Sequence, residues 1–336
     1  MTRALFCLLA VISAVAFVTP TAHAQQKVKP EEEKTVRLVW FPRFSPDSKW
    51  LIAAHGSWDA KEAGEVRLWD VEDGTIKHTL PHPRGVRSVA WSPKGKFFVT
   101  GSYGGLVRFY DPETGEMQAE IKLGGSVEGV RITDDDKRLI TTHGNGDIRV
   151  FELPSRKELY RFPAAHQGGI WGMAVSPSGK LLATAGKDAF VRIHDLESMK
   201  LLHQKKHPGE TNGLVFTADN QRLLTGCTDS IIRVFEVTSG DELAQLKGHD
   251  RGSITDMQFS KDGKLLATAG IDGTVRIWDA ADLSKASVKE TLEGHNNLVF
   301  GVAISPDDRW LASAGWDDQV IVRDFKTLKE HWSWKR

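Results

Sequence analysis

The sequence has only two cysteines, Cys7 and Cys227. Cys7 falls in a leader-like segment, so Cys227 stands alone in the remainder and an intrachain disulfide framework is excluded. Neither sign of charge is in excess, with 44 Lys and Arg against 44 Asp and Glu. That balance lacks the basic footprint that a phosphate backbone or an anionic membrane surface selects, so nucleic acid is not an expected partner. No apolar run reaches the ~20 residues that a spanning helix needs, and no membrane insertion is expected of the mature chain. With 40% apolar and 26% charged residues, the composition is that of an ordinary globular protein with a large core.

The catalytic and metal-binding signatures are also missing. No G-x-S-x-G elbow occurs. The Gly-Lys pairs at Gly95, Gly179 and Gly263 are neither followed by Ser/Thr nor preceded by Gly five positions earlier, so they read as hairpin turns, not phosphate loops. His78 and His82, like His203 and His207, are four apart; that spacing chelates on a helix but separates two residues by ~13 Å along a strand. Asp134, Asp135 and Asp136 lack the calcium-loop pattern. No metal or cofactor is expected.

The N-terminus differs from the rest. Arg3 precedes an apolar or small-residue run from Ala4 to Val18, and Ala22 and Ala24 are small enough for a signal peptidase pocket, which predicts a signal peptide over residues 1–24 cleaved before Gln25. An exported protein, periplasmic or extracellular, is the expectation. Residues 25–34 (QQKVKPEEEK) read as a polar linker, and residues 35–336 as one repeat domain.

One phrase recurs through that domain: an apolar strand, a Ser-Pro-Asp/Gly turn, a second strand, a Gly turn, then Val-Arg-aliphatic-aromatic-acid. Its final acids are Asp70, Asp111, Glu152, Asp195, Glu236, Asp279 and Asp324, at separations of 41, 41, 43, 41, 43 and 45. Seven units follow. Each holds three strand-length runs rich in β-branched and aromatic residues and a looser fourth, joined by turns that pair neighbours antiparallel. Alternation such as Val275, Ile277 against Arg276, Trp278 leaves both sheet faces apolar, so each unit must stack on its neighbours. The expected fold is all-β, a seven-bladed propeller of four-stranded antiparallel blades. Either KTVRLV at the start or KEHWSW at the end supplies the outer strand of the last blade; the spacing after Asp324 favours the latter.

These seven in-register copies resemble the WD-repeat (β-transducin-like) family over roughly residues 35–336. The resemblance implies a propeller around a central channel and a buried hydrogen-bond chain of His, Ser/Thr, Asp and Trp in each blade. Only the sixth unit carries all four, as His249, Thr268, Asp272 and Trp278. Units four, five and seven keep His166, Thr184, Asp188; His207, Thr225, Asp229; and His295, Ser313, Asp317, with His194, Phe235 and Arg323 in place of Trp. The second has His82 and Thr100 but Gly104, the third Thr141 with Leu123 and Asn145, and the first does not align. A Ser/Thr-His-Asp set is also a nucleophile's recipe. Its recurrence in four units speaks for structure, and no catalytic residue is expected.

The resemblance also implies that partners dock on the face bearing the loops between second and third strands and between blades. Two positions per blade point there. At the bulge of the innermost strand they are Trp40, Arg87, Glu128, Trp171, Asn212, Thr255 and Phe300. Before the turn Asp they are Tyr103, Gly144, Lys187, Thr228, Ile271 and Trp316. The first unit has a longer turn that carries Trp58. Trp40, Trp58, Arg87, Tyr103, Trp171, Phe300 and Trp316 therefore form the expected contact set, since aromatics with Arg are the composition of binding hot spots. The expected function is a non-catalytic scaffold, monomeric by itself, that binds a protein or peptide segment. A carbohydrate or small-ligand binder is the alternative, because exposed rings stack on sugars, and an enzyme with a channel site ranks last.

Overall fold

The computed structural model describes residues 38–57 and 61–336. The predicted signal peptide (1–24), the polar linker (25–34) and Trp58 lie outside the described residues. Among those described, regular structure consists of 28 strands in seven four-stranded antiparallel sheets, all within the unit Val36–Arg336. Each sheet is one contiguous stretch of chain, spanning 38–82, 86–122, 127–162, 170–206, 211–247, 254–292 and 299–335. We number these blades one to seven.

Blade six shows why the repeat folds this way. Its strands are Ile254–Phe259, Leu265–Gly270, Val275–Asp279 and Ser287–Leu292, running from the channel outwards. In the first turn the Ser260 hydroxyl donates to Asp262 at 2.8 Å and accepts from the Leu265 amide at 3.0 Å, and Gly263 adopts φ +71°. A left-handed residue is needed at that corner. Where glycine is missing, Ser48, Asp136, Asn220 and Asp308 take it at φ 57–64°; small polar side chains tolerate this conformation better than others.

Apolar faces are buried between blades. Val39, Leu51, Ala53 and Trp69 of blade one pack on Ala303, Ala312, Ala314, Val320 and Val322 of blade seven. Leu224, Ile232 and Val234 of blade five pack on Ile254, Met257, Leu266 and Trp278 of blade six. Removing this area from water is the main stabilising term for a ring with no disulfide.

The ring closes through the C-terminal segment, as the spacing after Asp324 indicated. Glu330–Lys335 is the outer strand of blade seven and pairs with Gln319–Asp324, while Leu38–Phe44 is the innermost strand of blade one. The seam is pinned at the rim. His331 donates from Nε2 to the Glu72 carbonyl at 2.7 Å, Trp332 from Nε1 to the Val71 carbonyl at 2.8 Å, and Arg309 pairs with Glu72 at 3.0 Å. His78 and His203 make the same outer-strand contact to the next blade, with the carbonyls of Glu113 and Thr238 at 3.0 Å each. These histidines are interblade clamps.

Candidate partner-binding face

The two sets of positions read from the repeat do converge in space. In blades two to seven the innermost strand slips register at one residue, and that residue is Arg87, Glu128, Trp171, Asn212, Thr255 and Phe300 in turn. The residue before the turn Asp donates its backbone N–H to the carbonyl two positions ahead of the bulge: Tyr103 to Gly85, Gly144 to Ser126, Lys187 to Gly169, Thr228 to Glu210, Ile271 to Ser253 and Trp316 to Leu298. This bond draws the bulge and the second-to-third-strand turn onto one face at the channel mouth. Bulges re-aim a side chain away from the regular pleat, which is how the innermost strand presents residues there.

Blade one departs from the pattern and corrects the role of Trp40. There Trp40 stays in the ladder opposite Ala54, and the slip comes later, with Phe41 and Pro42 set against Ala53. Pro42 has no N–H to give the ladder, so the irregularity moves to it. Trp40 therefore follows the pleat inwards and has 0% of its surface exposed. It is the floor of the site, not a contact residue. Phe41, which the repeat alignment passes over, takes the channel-facing place, half-buried.

A continuous line of contacts crosses four blades on this floor. Trp316 stacks on Phe300 with centroids 5.0 Å apart, and Phe300 meets Trp40 edge-on at 4.9 Å. The Arg87 guanidinium lies 4.3 Å from the Trp40 ring and 4.9 Å from that of Phe41, and Arg87 Nε is 3.6 Å from Glu128. Arg87 is only 4% exposed. It joins Trp40 as a supporting residue, not an open charge. Tyr103 leans over Gly85, and burial lifts its phenol above the ordinary range despite Arg87 nearby. What remains reachable is Phe300, Trp316, Trp171, Tyr103 and Phe41, each half-buried, beside exposed Lys187 and Thr228.

The hydrogen-bond chain is complete in blade six. Trp278 Nε1 donates to Thr268 Oγ1 at 2.9 Å, Thr268 Oγ1 is 2.7 Å from His249 Nε2, and His249 Nδ1 is 2.9 Å from Asp272. Burial raises the Asp272 carboxyl, but the bond and charge of His249, with Thr274, outweigh it and hold the group below the usual carboxylate range. Blades four and seven keep the chain without Trp: His166 at 2.9 Å from both Thr184 and Asp188, His295 at 2.8 Å from Ser313 and 3.1 Å from Asp317. Thr268 has no exposed surface, so no substrate can reach its hydroxyl as a nucleophile.

Blade five corrects a second expectation. His207 reaches Thr225 at 2.8 Å, but Asp229 turns to Arg233, at 2.5 Å. In blades four, six and seven the residue after His donates its amide to the Asp, from Gln167, Asp250 and Asn296. In blade five that residue is Pro208, which has no N–H. The His-Pro pair was a legible signal. Blade three finds a substitute that the alignment missed: His143, two residues beyond Thr141 on the same strand, places Nε2 2.9 Å from Thr141 Oγ1, since residues two apart share a sheet face.

Comparison with known sequences agrees with this geometry. A sequence model of the family described as "WD domain, G-beta repeat" matches residues 74–111, 156–195, 199–236, 240–279 and 286–324. Each match starts near an outer strand and ends on the third-strand acid of the next blade. The first three strands of blades one and three, where the turn or the histidine is displaced, lie outside these matches. The chain is 26% identical over 244 residues to the serine-threonine kinase receptor-associated protein of Gallus gallus, covering 71% of this chain and 66% of that protein. It is 23% identical over 264 residues to cilia- and flagella-associated protein 52 of Homo sapiens, covering 76% and 42%. It thus spans less than two thirds of the length of both. A guanine nucleotide-binding protein subunit beta of Oryza sativa subsp. japonica is 22% identical over 316 residues, covering 87% and 80%.

Proposed function

The chain belongs to the WD-repeat family, and on that premise we propose that it is an exported, non-catalytic scaffold that holds a protein or peptide segment across the channel mouth. The contact line Trp316, Phe300, Trp40, Arg87 carries this reading: it is a rigid aromatic floor, locked by packing below, with polar and charged groups at its edge. Such surfaces concentrate binding energy because rings bury much area for little lost rotamer freedom. Two of the relatives support the class of partner by name, one as receptor-associated and one as a subunit. Export rests on Arg3, the apolar run from Ala4 to Val18 and the small residues Ala22 and Ala24.

Affinity capture with the purified chain tests the proposal, comparing wild type with Trp316→Ala, Lys187→Glu and, on the outer rim, Leu201→Ala. Partner capture lost in the first two and kept in the third is expected. Capture lost only with Leu201→Ala moves the site to the rim. Binding of glycans, and of no protein, replaces the protein-partner reading with a carbohydrate one.

A further inference from the structure

Six of the seven seams between neighbouring blades are joined by the chain itself, because the outer strand of each blade leads into the innermost strand of the next. The seam between blades seven and one is not. Blade one starts on its innermost strand, Leu38–Phe44, and blade seven ends on its outer strand, Glu330–Lys335; among the described residues neither lends a strand to the other's sheet. Packing and side-chain contacts alone close the ring there.

The polar contacts of this seam lie at its edges. At the rim, His331, Trp332 and Arg309 hold Glu72 and Val71. At the first turns, Ser48 Oγ accepts the Asp307 amide at 3.3 Å. In the lumen, Arg43 reaches past blade seven to Asp256 of blade six, at 2.9 Å. His55 Nδ1 stops 3.8 Å from Asp318 of blade seven, too far for a hydrogen bond.

Behind these edges the seam buries polar groups that find no partner. Ala53 pairs with Arg67 as Thr268 pairs with Arg276 in blade six, so an alanine stands where blade six has the hydroxyl that receives the Trp278 indole. Trp69 Nε1 and Arg67 Nε and Nη1, all donors, and His55 Nε2 have no hydrogen-bond partner among the described residues, and the three side chains belong to residues at most 7% exposed. They surround Trp334 of blade seven, with the Arg67 guanidinium 4.0 Å from its ring and the His55 and Trp69 rings centred 5.4 and 5.9 Å away. A buried donor without an acceptor opposes closure, because it regains water when the faces part. Opening here also leaves no loop across the gap, whereas every other seam stays tethered by one.

We propose that this seam is a gate: the ring opens reversibly between blades seven and one while each blade stays folded. The gate passes through the aromatic floor, since Phe300 of blade seven meets Trp40 of blade one at 4.9 Å. Opening therefore takes the floor apart, and closing rebuilds it. That the floor receives a partner rests on the function proposed above; the gate itself does not.

Thiol labelling reads the gate directly. Ala314 of blade seven and Ala269 of blade six hold the same repeat position, both wholly buried, the first against blade one and the second against blade seven. Under native conditions iodoacetamide should label Ala314→Cys about tenfold faster than Ala269→Cys or the native, buried Cys227, with the sites resolved by mass spectrometry. Adding Ala53→Ser, which offers Trp69 a hydroxyl, should slow labelling at Ala314→Cys about fivefold and leave Ala269→Cys unchanged. Backbone amides of blade seven should exchange with deuterium more slowly than Ala314→Cys opens. Equal labelling of the two alanine positions, no slowing by Ala53→Ser, or blade-seven amides that exchange as fast as the thiol is labelled would overturn the proposal. The labelling needs no partner, so a failed capture at the mouth and a gate that stays shut are told apart.

Discussion

Asp272 and Asp229 occupy the same repeat position, yet their structures assign them different energies. Asp272 accepts from His249 at 2.9 Å, the Asp250 amide at 3.3 Å, the Thr274 amide and hydroxyl at 3.1 and 2.7 Å, and Arg276 at 3.4 Å. All are donors, so an Asn in its place must turn its NH2 towards groups that also donate. With one Asn oxygen kept on Thr274, His249 and Asp250 lose their acceptor in a site only 4% exposed. Hydrogen bonds to a charged group contribute about 1.5–3 kcal/mol each, and the neutral Asn recovers part of this through a changed His249 tautomer; Asp272→Asn should cost about 2–4 kcal/mol. Asp229 touches Arg233 and the Ile231 amide, leaves His207 alone, and is 26% exposed. Asp229→Asn should cost about 1 kcal/mol or less. At about 2 °C per kcal/mol for a chain of this size, thermal midpoints should fall about 4–8 °C and about 2 °C respectively. Equal shifts, or an Asp272→Asn midpoint indistinguishable from wild type, would refute the reasoning.

Trp40→Ala should destabilise by about 3–5 kcal/mol, because the indole is wholly buried between blades, whereas Trp316→Ala should cost less stability and more partner affinity; urea unfolding and binding titration separate the two. Desolvation pushes His82 and His194 down to about 4, and burial followed by Arg149 does the same to His143. Unfolded histidine titrates near 6.5, so between these values the unfolded chain holds protons that the folded one does not. Stability is therefore full above pH ~6.5 and falls on acidification towards pH 4, by up to about 2 kcal/mol per histidine at pH 5; a flat profile across that window in urea melts contradicts the burial of these rings. Trp332→Ala should lower the melting temperature more than an exposed outer-strand change such as Leu201→Ala, because Trp332 bonds the Val71 carbonyl at 2.8 Å and packs on Gly74 across the closing seam.

Much of the ring was legible because two signals in each repeat agree. The Ser-x-x-Gly corner sets where the first two strands pair, and Val-Arg-x-aromatic sets the third, so a period of two carries every side chain to a definite face. Bulge positions followed in six blades. In the first, Pro42 displaced the slip by one step and sent Trp40 into the core, so one of the residues expected as a contact became its support. Local chemistry decided the hydrogen-bond chains in the same way: Pro208 withdrew an amide from Asp229, and His143 served Thr141 from its own strand. The Arg43–Asp256 pair was beyond sequence reading. Its partners lie 213 positions apart, and only the closed ring brings their strands to one lumen.

Site-specific photo-crosslinking tests the binding face most directly. A benzophenone side chain placed at Trp316 or Lys187, at the channel mouth, should yield a covalent adduct with one and the same partner protein. The same group placed at Leu201 on the rim should yield none. Adducts from Leu201 with the mouth positions silent would contradict the assignment of the partner to this face.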